Sequence, residues 1–368
     1  MDAHEAESYP KAVLHDHLDG GLRVATVIEI ADAIGHNLPS TEESELADWF
    51  HQGHSGSLER YLGAFEHSLA VMQTQDSIKR IAGEAVEDLA ADGVVYAELR
   101  FDPGLCTRGG LTREDVLEAA TDGIAGARKD SGITVYTIVS ALRHLDDSEH
   151  AASAAIRFQG EGVVAFDLAG PEIGHPPDGH LAAIRSVRES GLGLTLHAGE
   201  GDGAHSIWRA LALCSAQRIG HGVHIADETH IESGRITVLS SFARSVRDHR
   251  VPLEVAITSN LHTASYGTAA EHPFGALYRA GFNVSLNTDN RLMSGVTTSG
   301  EYALAADTFG LNVEDLGAIT IAAVEAGFGP WPERKRIIDD VVAPAYGLSR
   351  CPSSGGGASS GGAGRSNP

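Results

Sequence analysis

Cysteine is nearly absent from this chain of 368 residues: Cys106, Cys214 and Cys351 are the full set. They form no CxxC pair and their number is odd, which argues against a disulfide framework. Positive charge is also short. Lys and Arg number 27 against 50 Asp and Glu, a net charge of −23 with His neutral. A nucleic-acid or anionic-membrane partner would need a positive surface, so neither is expected. A small neutral or cationic molecule suits the chain better. No stretch approaches the ~18 apolar residues of a spanning helix, and the acidic start MDAHEAESYP lacks a secretory apolar run. The expectation is a cytoplasmic protein.

Several catalytic signatures are missing as well. There is no GxSxG elbow, no GxxxxGK[ST] loop and no PCxxC zinc-deaminase pair. What the chain does have is the composition of a globular domain, with enough length to bury a large core, and 19 histidines. Clustered histidine is the usual material of zinc sites and acid–base chemistry.

Short β-rich runs alternate with helix-like stretches. The runs are Ala12–Leu18, Val94–Phe101, Ile133–Leu142, Val163–Ala169, Leu192–Ala198, Arg218–His221, Leu253–Thr258 and Phe282–Thr288. Helical periodicity fills the gaps, for example over 78–93 and 206–213. Eight such units predict an α/β fold, a (β/α)8 TIM barrel. A doubly wound open sheet is the competing architecture. Its Gly-rich phosphate fingerprint after the first strand is missing, and His15-Asp16-His17 stands there instead. The first connection, roughly 19–93, is too long for one crossover helix, so extra helices inserted after strand 1 are predicted over one barrel mouth. Residues 1–10 read as a flexible N-terminus and 11–351 as a single catalytic barrel domain. The Gly/Ser-rich run 352–368 reads as a disordered tail.

In a strand, residues i and i+2 point to one face, so His15 and His17 could present two imidazoles to one ion. Alone, each of His15, His17, His197, His221 and Asp289 reads as readily as a hydrogen-bonded core residue. Their shared position alters the balance. All five fall at the C-terminal ends of predicted strands 1, 5, 6 and 8, where barrel enzymes build their sites. Three histidines and a carboxylate supply the N and O donors that zinc accepts. Strand 4 offers no Lys for a bridging carbamate, so one metal is expected rather than two. Glu200 reads either as a first-turn helix carboxylate or, beside a metal cluster, as a proton donor and acceptor.

The set HDHLDGGLR (15–23), SLERYL (57–62), FDLAG (166–170), LHAGE (196–200), IGHG (219–222), TSN (258–260) and NTD (287–289) resembles the adenosine deaminase family of metal-dependent amidohydrolases. The likeness runs from about Pro10 to about Ala345, with the motifs in the family's order. It implies one Zn2+ per chain on His15, His17, His197 and Asp289. His221 resembles the base and orienting group beside the metal-bound water, and Glu200 the acid that protonates the purine ring. Gly170 resembles the residue whose N–H holds the other pyrimidine-ring nitrogen, and Asp19 the receiver of ribose hydroxyls. Leu58, Tyr61, Leu62 and Phe65 resemble the apolar wall over the base.

The activity implied is hydrolytic deamination of adenosine or 2′-deoxyadenosine to the inosine counterpart, with release of ammonia. The small-molecule partner is a purine nucleoside. A deaminase of a modified adenosine is the alternative, and a nucleoside-binding relative without catalysis a third. Three departures bear on that choice. Asn290 follows Asp289 where the family often has a second acid, and its amide can donate a hydrogen bond without any pKa shift. Ala256-Ile257 stand where Cys-Pro is common, and the 101–110 loop is atypical. The latter two are expected at the barrel mouth.

Overall fold

The computed structural model describes residues 1–53, 55–57 and 61–348. Leu58 and the Gly/Ser-rich tail lie outside the described residues. Eight strands form one parallel sheet in chain order: β1 (Lys11–His17), β2 (Val94–Phe101), β3 (Thr134–Leu142), β4 (Val163–Ala169), β5 (Gly193–Ala198), β6 (Arg218–His221), β7 (Leu253–Val255) and β8 (Val284–Leu286). Helices on the outside connect them, so the architecture is the (β/α)8 barrel.

The barrel closes through few backbone contacts. His17 N donates to Asp289 O at 2.7 Å and Asp289 N to His15 O at 2.9 Å. Below them the Asn287 side chain takes the place of a strand carbonyl, its Oδ1 accepting from Leu14 N and His15 N. That substitution is why β8 is shorter than the predicted Phe282–Thr288. β7 stops at Val255 instead of Thr258 for a similar reason. Ile257 N and Thr258 N turn away from the ladder to the Glu301 carboxylate, and a helix, Ile257–His262, begins there.

The long first connection carries helices Val24–Ile34, Glu43–Phe50, Phe65–Ala70 and Gln75–Ala91. The last starts at a capping box, Thr74 with Ser77, which satisfies orphan N–H groups of its first turn. Its Ile78, Ile81, Ala82, Ala85, Val86 and Leu89 are buried at helical spacing, forming the stripe that packs on the barrel. An antiparallel pair, Thr229–Glu232 with Arg235–Leu239, is an excursion between β6 and β7. The segment read as a flexible N-terminus holds a short helix, Ala3–Glu7. Ala6 is buried, and Lys11 Nζ donates to Ala6 O and Tyr9 O. Among the described residues no helix is long and apolar enough to cross a membrane.

The barrel interior is unusually ionic. Glu98, Arg100, Asp167, Arg218 and Glu254 are all buried inside it, where aliphatic layers are the norm.

Candidate active site

Strand alternation aims His15 and His17 from β1 at the barrel axis, and β5 adds His197 beside them. Their Nε2 atoms converge with the Asp289 carboxylate. His15 Nε2 lies 3.2 Å from Asp289 Oδ1 and His17 Nε2 3.3 Å from the same oxygen. His17 Nε2 and His197 Nε2 face each other at 3.3 Å. His15, His197, His221 and Asp289 each place a potential ligand atom within 4.8 Å of the others, and His17 joins through the contacts just given. His15 Nε2 is buried without a hydrogen-bond partner. Imidazole nitrogens that aim lone pairs at one another and at a carboxylate repel unless a cation lies between them, so the donor set fits a metal.

Backbone strain marks the same place. His221 (φ 60°) and Asp289 (φ 57°) both adopt the left-handed region, which costs about 1–3 kcal/mol at a non-glycine residue. Asp289 is held by Ser259 Oγ, which donates to its Oδ2 at 2.6 Å. Burial alone would raise its pKa, but the histidines around it, His15 above all, hold it well below the carboxylate range. Burial depresses His17, His197 and His221, whereas at His15 the Asp289 and Glu254 carboxylates outweigh burial and raise it. Neutral imidazoles are the form a metal binds.

Behind the donors lies a ring of charges that sequence reading did not assign. Glu254 Oε2 accepts from His15 Nδ1 at 3.0 Å, and Asp167 Oδ1 lies 3.1 Å from His197 Nδ1. Arg100 ties both acids together, at 2.7 Å to Glu254 and 3.3 Å to Asp167. Arg218 anchors Glu254 from below, 2.6 Å from its Oε1. Occupying Nδ1–H in this way leaves Nε2 unprotonated toward the centre and fixes the ring plane.

Glu200 follows β5 on the loop 199–202. It is fully buried, and burial first, then the charges of Asp289 and Glu172, raise its pKa well above the ordinary value. Its Oε2 lies 3.5 Å from His221 Nε2. On the other side of that ring, Asn260 Nδ2 sits 3.1 Å from Nδ1. An amide N–H donating there places the neutral ring's proton on Nε2, so His221 offers a donor to the centre.

These groups open into a cavity of about 370 Å³. Its walls include Asp19, Tyr61, Leu62, Phe65, Leu105, His144, Gly170 and Asn290 along with His17, His197, Glu200, His221 and Asp289. Every predicted site residue within the described residues therefore lines one cavity, apart from His15, which is buried but contacts the donors that do. Burial pushes Asp19 up to about 7, helped by the charges of Asp102 and Asp289. Gly170 has φ 88°, a conformation that favours glycine, and a Cβ there would come within 3.2 Å of His144 Nδ1. Tyr61 Oη bonds Ser294 Oγ at 2.7 Å, fastening the apolar wall to the end of the barrel. The two loop departures separate. Leu105 of the 101–110 loop lines the cavity, whereas Ala256 and Ile257 are buried and outside its lining.

Comparison with known proteins bears on this geometry. The family model for adenosine deaminase matches residues 10–344. An adenosine deaminase of Mycobacterium marinum is 47% identical over 346 residues, covering 92% of this chain and 96% of the relative. An adenine deaminase structure from Arthrobacter aurescens superposes with a TM-score of 0.81 at 23% identity, over 90% of this chain and 98% of that one. An Arabidopsis ADAL structure complexed with IMP gives 0.79 at 26% identity, over 93% and 99%.

Proposed function

The chain belongs to the adenosine deaminase family and is a hydrolytic deaminase, and from that premise we propose a one-zinc enzyme of purine nucleoside metabolism whose residues act as follows. It converts adenosine and 2′-deoxyadenosine to the inosine counterparts with release of ammonia. His15, His17, His197 and Asp289 would hold the ion, which when bound lowers the pKa of a water to roughly 7 and so makes a nucleophile available at neutral pH. Glu254 and Asp167 hold the rings of His15 and His197 in the required tautomer. Glu200 keeps its proton through burial and delivers it to the ring nitrogen beside the reacting carbon, which avoids a ring anion. His221 orients the attacking oxygen through Nε2–H. Gly170 N–H takes the second pyrimidine-ring nitrogen, and Asn290 donates to the five-membered ring. Tyr61, Leu62 and Phe65 exclude water above the base.

The sugar end supports a neutral nucleoside. Asp19 stands there, and no Lys or Arg lines the cavity among the described residues. A phosphate would meet a carboxyl group without a counter-charge. The observation that carries the reading is the convergence of four potential metal ligands beside the buried Glu200 at the floor of one cavity. A panel of adenosine, 2′-deoxyadenosine, adenosine monophosphate, free adenine and 5′-extended adenosines, scored by ammonia release, tests it. Adenosine should lead, with the monophosphate and free adenine poor. A 5′-extended nucleoside preferred by tenfold or more would replace salvage of adenosine with a specialised deaminase.

A further inference from the structure

We infer that Glu172 is a positioning residue for the reaction, because its carboxylate gathers three successive backbone N–H groups of the loop that carries Glu200. The inference rests on the reading of Glu200 as the proton donor. Glu172 lies just beyond the Gly170 turn and is 1% exposed. Its Oε2 accepts from Gly199 N at 3.0 Å, and its Oε1 from Glu200 N at 2.8 Å and Gly201 N at 3.3 Å. Successive N–H groups converging in this way make an anion-binding nest. Here the chain fills the nest with its own side chain. The nest depends on Gly199, whose φ is 70° and where a Cβ would come within 2.6 Å of the Ile207 side chain.

Two further contacts make the arrangement directional. Ser206, from the helix Gly203–Ala212 that follows the loop, hydrogen-bonds the same carboxylate. Arg143, at the end of β3, adds its charge to Glu172 and donates to Leu168 O and His197 O. One carboxylate thus links the ends of β3, β4 and β5 to the helix beyond. Glu200 is clamped at both backbone ends, since Ser265 Oγ also donates to its carbonyl at 2.9 Å. Only its side chain is left to face the cavity.

The same charge acts on the Glu200 proton. The groups facing Glu200 are Asp289, Glu172 and Arg143, with Thr263 in hydrogen-bond contact and His221 Nε2 at 3.5 Å. Asp289 and Glu172 disfavour ionisation, and Arg143 opposes them. Glu172 therefore holds the loop and helps the acid stay protonated, through one set of atoms.

The test is a double-mutant cycle on the zinc-loaded full chain, with Glu172→Gln and Glu200→Gln singly and together. Glu172→Gln keeps the volume but loses the charge and one of the three acceptor contacts. Its kcat should fall about 10- to 100-fold, as for loss of a charged hydrogen bond, with KM within threefold and zinc content unchanged. The alkaline limb of its kcat profile should move to lower pH. In the Glu200→Gln background the same substitution should add less than twofold, because a residue acting through Glu200 has nothing left to position. A kcat within threefold of wild type, or an equal loss in both backgrounds, overturns the inference. Full activity of Glu200→Gln would instead overturn the reading of the acid itself. If Glu172→Gln does not fold, Ser206→Ala removes a single donor to the same carboxylate. A threefold or greater loss of kcat at constant KM supports the role, and wild-type kcat overturns it.

Discussion

Asp167→Asn is the perturbation that separates a metal-supporting barrel core from an inert one. Asp167 is fully buried. His197 Nδ1 lies 3.1 Å from Oδ1 and 3.0 Å from Oδ2, and Oδ2 also takes Arg100 Nη1 and Ser140 Oγ, each at 3.3 Å. Burial alone would raise its pKa, yet His197 and Arg100 hold the carboxyl well below the ordinary range. An amide has one acceptor end. In either orientation its NH2 therefore stands 3.0–3.1 Å from His197 Nδ1–H, and with the acceptor at the Oδ1 position the NH2 also points at the Arg100 guanidinium. Either choice loosens the His197 ring. Losing an outer partner of a ligating histidine weakens metal binding by about 10- to 100-fold, or roughly 1.4–2.8 kcal/mol. It also removes the more distant of the two carboxylate partners of Arg100, with Glu254 remaining at 2.7 Å, which costs about 1.5–3 kcal/mol of stability, as for one hydrogen bond to a charged group. The two effects are read separately: zinc affinity by competition with a chromophoric chelator, and stability by urea unfolding of the zinc-free chain. Ser140→Ala, which leaves the His197 contact intact, is the control and should keep zinc affinity within threefold. Asp167→Asn binding zinc as tightly as wild type would refute the supporting role.

Elemental analysis of the purified protein should find about one zinc per chain, and two metals, or full activity with none, would defeat the assigned donor set. Glu200→Gln should retain its zinc while turnover falls by about 100- to 10,000-fold, measured by the ultraviolet change on deamination. Asp19→Ala should lose efficiency on adenosine by roughly 10- to 150-fold, as for one buried charged hydrogen bond, yet lose little on a 5′-deoxy analogue. Glu301 is pushed up to about 7, chiefly by burial, so its contribution to stability is full below pH 4.5 and is lost as pH rises through 7. Glu301→Gln should remove that fall, making the variant gain on wild type by up to about 3 kcal/mol between pH 4.5 and 7.5 in urea unfolding. A difference between the two proteins that does not change with pH would count against it.

The parts of the molecule that were legible in the sequence are those governed by local pattern. The ends of β2, β4 and β6 coincide with the runs Val94–Phe101, Val163–Ala169 and Arg218–His221. The donors were readable because each stands at or just beyond the C-terminal end of a strand. Strands β7 and β8 were read too long because side chains, Glu301 and Asn287, capture the backbone groups that a ladder would have used. The supporting charges were not legible for a different reason. Arg100 and Glu254 are 154 residues apart and Arg218 and Glu98 are 120 apart, so nothing in their spacing announces a contact. Asp167 stood in the FDLAG run without a role, and Glu172 in a stretch with no motif. A charged residue in the middle of an otherwise apolar barrel strand is the one signal that was available, since such a position faces either the core or the helices and burial is costly at both.

That cost gives the ionic interior its meaning. Around the donors the barrel buries the carboxylates of Glu98, Asp167, Glu254 and Asp289 and the guanidiniums of Arg100 and Arg218, with Asp16, Arg143 and Glu200 buried beside them. Taking each ion out of water costs several kcal/mol, and well-packed apolar residues of equal volume would often be as stable or more so. Stability alone therefore does not explain why β2, β4, β6 and β7 carry charges where aliphatic layers would serve. A metal ion among the histidines does explain it, because Asp167 and Glu254 already hold two of the rings by Nδ1 and so aim their Nε2 atoms at one point.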